Sequence, residues 1–133
     1  RTLIPETMDS LIQHLQAHKS NYYMIGGAND LIRIAYDQIQ YLRKEGKYTL
    51  FHTDKTEVFR ERRALSKVIE DMQQVDDAFI MTDKSYGVNI RHVLRLKEHM
   101  LTMRNGDSVP VSIPRYQQVK KAISDYWGRR AWK

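Results

Sequence analysis

Five histidines, a pair of adjacent aspartates, a Gly-Gly step and a basic C-terminus are the features of this chain with chemical potential. His14 and His18 stand four residues apart in His14-Leu-Gln-Ala-His18, a spacing at which one helical face offers two imidazoles to a metal. No carboxylate or general base accompanies them, so no metal is expected. His52, His92 and His99 fall in or beside strand-like segments without a deducible partner and read as structural histidines. Gly26-Gly27 is not followed by a helix, so it marks a turn and not a phosphate cradle. Asp76-Asp77 lies between a helix and a strand, where aspartates serve turns. No serine sits in a nucleophile elbow and the chain has no cysteine, which removes thiol catalysis, disulfides and Cys-ligated metal. Neither catalysis nor a cofactor is expected.

Charge is more informative. Twenty-two Lys and Arg against sixteen Asp and Glu give a net charge of +6. Residues 115–133 hold Arg115, Lys120, Lys121, Arg129, Arg130 and Lys133 against Asp125 alone, while the preceding residues are almost neutral. A basic end on a neutral body suits a polyanion, because phosphate neutralisation supplies most non-specific nucleic-acid affinity. The competing reading is a solvated tail that keeps the protein soluble.

The elements that must position these residues follow from periodicity. The 133 residues suffice for one domain, and a 41% hydrophobic content is too apolar for disorder. The apolar runs are too short for a membrane span, the N-terminus has no signal-peptide pattern, and a cytoplasmic location is expected. Leu3, Ile4, Met8, Leu11, Ile12 and Leu15 predict a helix over 3–18. The chain opens without Met, so residues 1–20 read as a helical linker from an upstream region. From residue 21 short alternating runs separated by Gly, Asn and Asp predict successive strands: 22–25, 31–35, 39–42, 48–52, 57–60, 78–81, 86–88, 93–96, 100–103 and 109–112. Leu65, Val68, Ile69 and Met72 predict a short amphipathic helix. Asn105-Gly106 is the strongest hairpin signal. Tyr116, Val119, Ile123 and Tyr126 predict a closing helix, with Pro114 near its first turn. The organisation expected is an N-terminal helix or linker over 1–20, a β-rich domain over 21–127 and a basic tail over 128–133.

One stretch is specific: Phe79-Ile-Met-Thr-Asp-Lys-Ser-Tyr-Gly-Val-Asn-Ile90. It is preceded by Ile39-Gln-Tyr-Leu-Arg-Lys-Glu-Gly-Lys-Tyr48 and Ala64-Leu-Ser-Lys-Val68, and followed by Leu94-Arg-Leu96, Asn105-Gly-Asp107 and Val109-Pro-Val-Ser112. This order resembles the LytTR-type DNA-binding domain, the output module of many bacterial response regulators such as the accessory gene regulator family, over roughly residues 22–124. The resemblance implies a mainly β fold with short helices, an elongated stack of antiparallel β-sheets, whose loops enter successive major grooves. Carried over by position, it assigns DNA contact to Lys44, Lys47 and Tyr48 in a first loop and to Lys84 and Ser85 in a second. In the third, Ile113-Pro114 intervene before Arg115, which stands in for the family's arginine at a shifted position. A second departure is Asp83, where many members carry a basic residue or histidine.

The residue types agree with such a task. Lysine is a point charge suited to phosphate, arginine a fork suited to guanine, and Tyr48 or Ser85 a donor that fixes register. Tyr86 and Val88 are assigned to the core, Asn89 to a hydrogen bond that caps its loop, and Trp127 and Trp132 to core or dimer packing. The expectation is a non-catalytic, sequence-specific domain binding double-stranded DNA in transcription regulation. It would bind repeated half-sites as a homodimer or as adjacent monomers, under an upstream receiver or another sensor. The alternative is a protein-interaction module in which the first helix and Tyr22, Tyr23, Tyr126 and Trp127 build a partner surface and the basic tail is incidental.

Overall fold

The computed structural model describes residues 21–54 and 56–131. The helix expected over 3–18, with His14 and His18, lies outside the described residues, as does Trp132. The chain divides into two compact units, Arg1–Tyr36 and Asp37–Lys133.

Within the first unit, β1 (Tyr22–Gly26) and β2 (Leu31–Ala35) form an antiparallel pair. Tyr23 and Ile25 are buried while Tyr22 and Met24 are exposed, the period of two that a one-sided strand requires. Gly27 donates its N–H to the Asp30 carbonyl (2.9 Å) and closes the turn expected at Gly26-Gly27.

The second unit is built on β3 (Ile39–Glu45), β4 (Tyr48–Thr53), β5 (Val58–Glu61), β6 (Phe79–Asp83) and β7 (Tyr86–Asn89). They form an antiparallel sheet in the order β5-β4-β3-β7-β6. β3 is central, and its residues 39–42 are all buried, so both faces of the sheet must be covered. The register shows how. Tyr41 pairs with Val88 and Leu42 with Gly87, so the two pairs point to opposite faces. On the Gly87 side lies α1 (Leu65–Gln73), which buries Leu65, Val68, Ile69 and Met72. These are the four residues whose spacing predicted the helix. On the Val88 side lie a three-stranded sheet and a second helix. That sheet has the order β10-β9-β8, from β8 (Val93–Lys97), β9 (Met100–Met103) and β10 (Ser108–Pro110). The helix is α2 (Tyr116–Ala131), entered through a 3-10 turn over Ile113–Arg115 that contains Pro114. Leu101, Met103, Val109, Val119, Ile123 and Tyr126 share one core with Tyr41 and Val88.

Mainly antiparallel sheets with short helices are therefore what the chain folds into. Asn89 acts as expected. Wholly buried, it donates from Nδ2 to the Ile39 carbonyl (2.9 Å) and accepts at Oδ1 from the Arg91 N–H (3.2 Å). One aromatic assignment needs correction and a second narrows. Tyr86 is only partly buried, its ring tilted against Tyr41 at 6.4 Å, because it begins β7 at the rim of the core. Trp127 is 42% exposed beside Arg91, Val93 and Arg104, which rules out the core for it and leaves dimer packing as the remaining assignment.

The two-residue turn joining β8 to β9 was not signalled. Glu98 and His99 have φ of 52° and 66°, the left-handed conformation that Gly and Asn adopt at least strain. The His99 ring is held against Tyr116 (4.3 Å), an attraction that offsets part of the strain. Glu98 has no comparable ring contact. Glu98→Asn is expected to raise stability by about 1 kcal/mol, read as a higher urea midpoint at unchanged slope.

Candidate nucleic-acid interface

Strand direction decides which turns share an edge. β3 ends at Glu45 where β7 begins, since Arg43 pairs with Tyr86. The β3–β4 turn and the β6–β7 turn therefore emerge side by side. The first is Gly46-Lys47, with Gly46 at φ 61° and open space around its missing Cβ. A single positive φ at the first turn position is the pattern of a type II′ hairpin, which places Lys47 at the tip. The second is Lys84-Ser85, closed by the Ser85 N–H donating to Asp83 Oδ2 (3.0 Å). Asp83 thus has a structural task, which accounts for an acidic residue at this place. The Lys44 N–H donates to the Ser85 carbonyl (2.8 Å) and locks the two turns together.

The result is a cleft of about 350 Å³ lined by Lys44, Lys47, Tyr48 and Lys84. Four of the six expected contact residues are brought together. Ser85 is bonded to them through the backbone but does not line the cleft. Arg115 stands apart on the other side of β6. Its segment is nevertheless tied to the same end, because the Ser112 N–H donates to the Thr82 carbonyl (2.9 Å) and the Arg115 N–H to the Ser112 carbonyl (3.1 Å).

Sequence reasoning missed three contributors. Arg63 and Ser66 line the same cleft, delivered by the link from β5 to α1 and by the first turn of α1. Arg60 lies over the Tyr48 ring at 4.5 Å and positions it by a cation–π contact. The available signal was Arg60-Glu-Arg-Arg63, a basic run directly before an amphipathic helix.

The basic C-terminal end does not join this edge. Arg129 pairs with Asp77 (2.9 Å), just before β6 begins, whereas Lys84 follows its other end. β6 alone separates them by about 13 Å. Lys121 is paired with Asp125 on the α2 surface (2.8 Å). Among the described residues, Lys121 and Arg129 thus spend their charge on α2's own carboxylate and on Asp77.

Behind the edge, Tyr41 and His52 stack across β3 and β4 with centroids 4.4 Å apart and planes 5° from parallel. Arg43 Nε donates to His52 Nε2 (3.2 Å), and the Tyr41 hydroxyl donates to Asp107 Oδ2 (2.9 Å) in the β9–β10 turn. The histidines carry the unit's pH sensitivity. Burial, then the Arg43 guanidinium, holds the His52 imidazole below its ordinary value, against a weaker pull from Asp107. His92 is lowered by burial more than its bond to the Asp37 carbonyl raises it. Both groups bind protons more readily when unfolded, so their contribution to stability is present above about pH 6.5 and lost as pH falls toward the folded values. The melting temperature is expected to drop between pH 7.5 and 5. His52→Phe, which keeps the stack on Tyr41, is expected to flatten that slope, and an unchanged slope would contradict the assignment.

The model of the LytTr DNA-binding domain matches residues 29–124, most of the chain. The chain belongs to the LytTR family of DNA-binding domains. Among solved structures, this LytTR domain is similar to the LytTr DNA-binding domain of a Bacillus cereus protein named as a methyl-accepting/DNA response regulator. The TM-score is 0.64 at 20% identity, over 77% of this chain and 96% of that one. No curated protein matches. LytTR is a family of DNA-binding domains and not of catalysts, so the reading of the cleft turns on what a duplex would find there. Among the described residues no helix is long and apolar enough to cross a membrane.

Proposed function

We propose that this LytTR domain recognises a specific sequence in double-stranded DNA within a bacterial transcription regulator. Lys44, Lys47, Tyr48 and the Lys84-Ser85 turn meet the duplex on one edge, and Arg115 reaches it from the adjoining segment. The observation that carries this reading is the convergence of three lysines and a tyrosine, from two separate hairpin turns, on a single cleft. Lys44, Lys47 and Lys84 make no ion pair among the described residues, so their charge is available to phosphates. Arg115 is the fork suited to a guanine edge, where one bidentate contact discriminates by about 1–3 kcal/mol. Binding to repeated half-sites, as a dimer or as adjacent monomers, and control by an upstream receiver or sensor complete the proposal, with the cytoplasm as its setting. Of the four aromatics of the rival interaction surface, Tyr23 and Tyr126 are buried while Tyr22 and Trp127 are each 42% exposed.

The test is a fluorescence-anisotropy titration on a randomised duplex pool at two salt concentrations, with sequencing of the retained DNA. A short enriched motif and an affinity that falls steeply with salt are expected. Lys84→Gln should lower the slope of log K against log salt by about 1 on any duplex. Arg115→Gln should relax preference at one position of the motif. Absence of binding at low salt would overturn the proposal.

A further inference from the structure

Resting on the DNA reading above, we infer that the cleft between the two turns seats one backbone phosphate, with Arg63 and the start of α1 as its inner wall. Four cationic side chains reach this cleft from four different segments: Lys44 from β3, Lys47 and Lys84 from the two turns, and Arg63 from the β5–α1 link. No carboxylate lines it. Like charges gathered in a confined space repel one another, and an anion among them relieves the repulsion. Arg63 is ion-paired with Asp71 of α1, so it brings less free charge to the cleft than the three lysines do. Thr49 Oγ1 donates to the Arg63 carbonyl (2.8 Å) and anchors its backbone to β4.

The helix start adds to this cationic wall. Ala64 occupies the N-cap with extended backbone and supplies no side-chain cap. The leading N–H groups of a helix have no intrahelical acceptor, and there a serine, threonine, asparagine or aspartate commonly accepts from them. Here Ala64, Leu65 and Ser66 all line the cleft, while the Lys67 N–H already donates to the Ala64 carbonyl (3.1 Å). A phosphate oxygen suits both the amides and the four cations. Arg63 and Ser66 would then hold the duplex in register without reading sequence, leaving the bases to Tyr48, Ser85 and Arg115.

The experiment uses the whole chain and the duplex retained by selection, beside a scrambled duplex of equal length. Affinity is measured across a salt series, and thermal stability alongside, for the wild type, Ala64→Asn, Ala64→Asp, Arg63→Gln and Arg115→Gln. Either residue at 64 caps the helix, so both variants should melt no lower than the wild type. Only the aspartate places a negative charge where the phosphate sits. Ala64→Asp should bind at least tenfold more weakly, and Ala64→Asn about threefold, because asparagine occupies the amides without adding a charge. Arg63→Gln should lower the salt slope by about 1 and weaken both duplexes equally. If Ala64→Asp and Arg63→Gln bind as the wild type while Arg115→Gln loses preference, the phosphate seat is wrong and the DNA reading stands. A loss in Arg63→Gln confined to the selected duplex would make Arg63 a reader of bases and also overturn it. A wild type that binds neither duplex would take both down.

Discussion

Asn89→Ala is expected to destabilise the second unit by about 3 kcal/mol, more than any exposed substitution in it. The side chain is wholly buried, and it serves two backbone groups from different elements. Its Nδ2 donates to the carbonyl of Ile39, where β3 begins, and its Oδ1 accepts from the N–H of Arg91, where the chain leaves β7 for β8. Alanine removes both partners at once. A buried polar group left without one costs roughly 1–3 kcal/mol, and here two are exposed to that penalty with little access for water. Against a total stability of about 5–15 kcal/mol for a domain, that loss is large. Urea unfolding should show a lower midpoint at unchanged slope. A midpoint within 0.5 M of the wild type, at a slope of about 1–3 kcal/mol per molar, would show that these bonds are dispensable.

Gly87→Val is expected to be as damaging, and to reach DNA binding without touching a cleft residue. A Cβ at position 87 would lie 2.7 Å from Ile69 Cδ1 and 3.3 Å from the Ile80 carbonyl oxygen. The Ile80 oxygen belongs to the sheet, and Ile69 is buried at 1% exposure, so its rotation is confined by its neighbours. Relief comes from turning Ile69 or from lifting the helix off the sheet. Overpacking of this kind costs about 1–3 kcal/mol, and valine adds two further carbons to the clash. Lifting α1 also shifts Ser66 and the link that carries Arg63, so affinity for DNA should fall with stability. Gly87→Ala combined with Ile69→Val provides the check. The smaller side chain at 69 makes space for the new methyl, so the double variant should be more stable than the sum of its two single losses. Strict additivity would mean that the helix and the sheet do not press on each other here.

Much of this was legible because the relevant signals are local. The buried face of α1 is the same four residues that set its period, and each expected strand from 22 to 112 corresponds to a strand in the structure. The family resemblance places Lys47 and Lys84 in loops, and the structure puts both in two-residue turns. What the sequence could not convey is which turns meet. The cleft exists because β3 pairs with β7, more than forty residues away, and no local pattern encodes that partner. Arg63 was passed over for the same reason: in a run of charges it looks like a solvated link until the helix behind it is seated. The basic C-terminus shows the converse. Its charges are close in sequence, but α2 carries Arg129 away from the cleft to Asp77. The strained Glu98-His99 turn had no signal at all, since neither residue favours a positive φ.

The order β4-β3-β7-β6 makes the sheet a ruler. One of the two turns proposed to meet DNA caps the β3–β4 pair and the other the β6–β7 pair, so their centres lie two strand spacings apart. At about 4.8 Å per strand that is about 10 Å, or close to three base-pair steps of 3.4 Å. Lengthening either turn changes how far it projects and leaves this interval untouched, because the interval belongs to the hydrogen-bond lattice of the sheet. If the two turns meet the duplex as proposed, their contact points should therefore keep a constant offset among relatives with this strand order, however much the turn residues diverge.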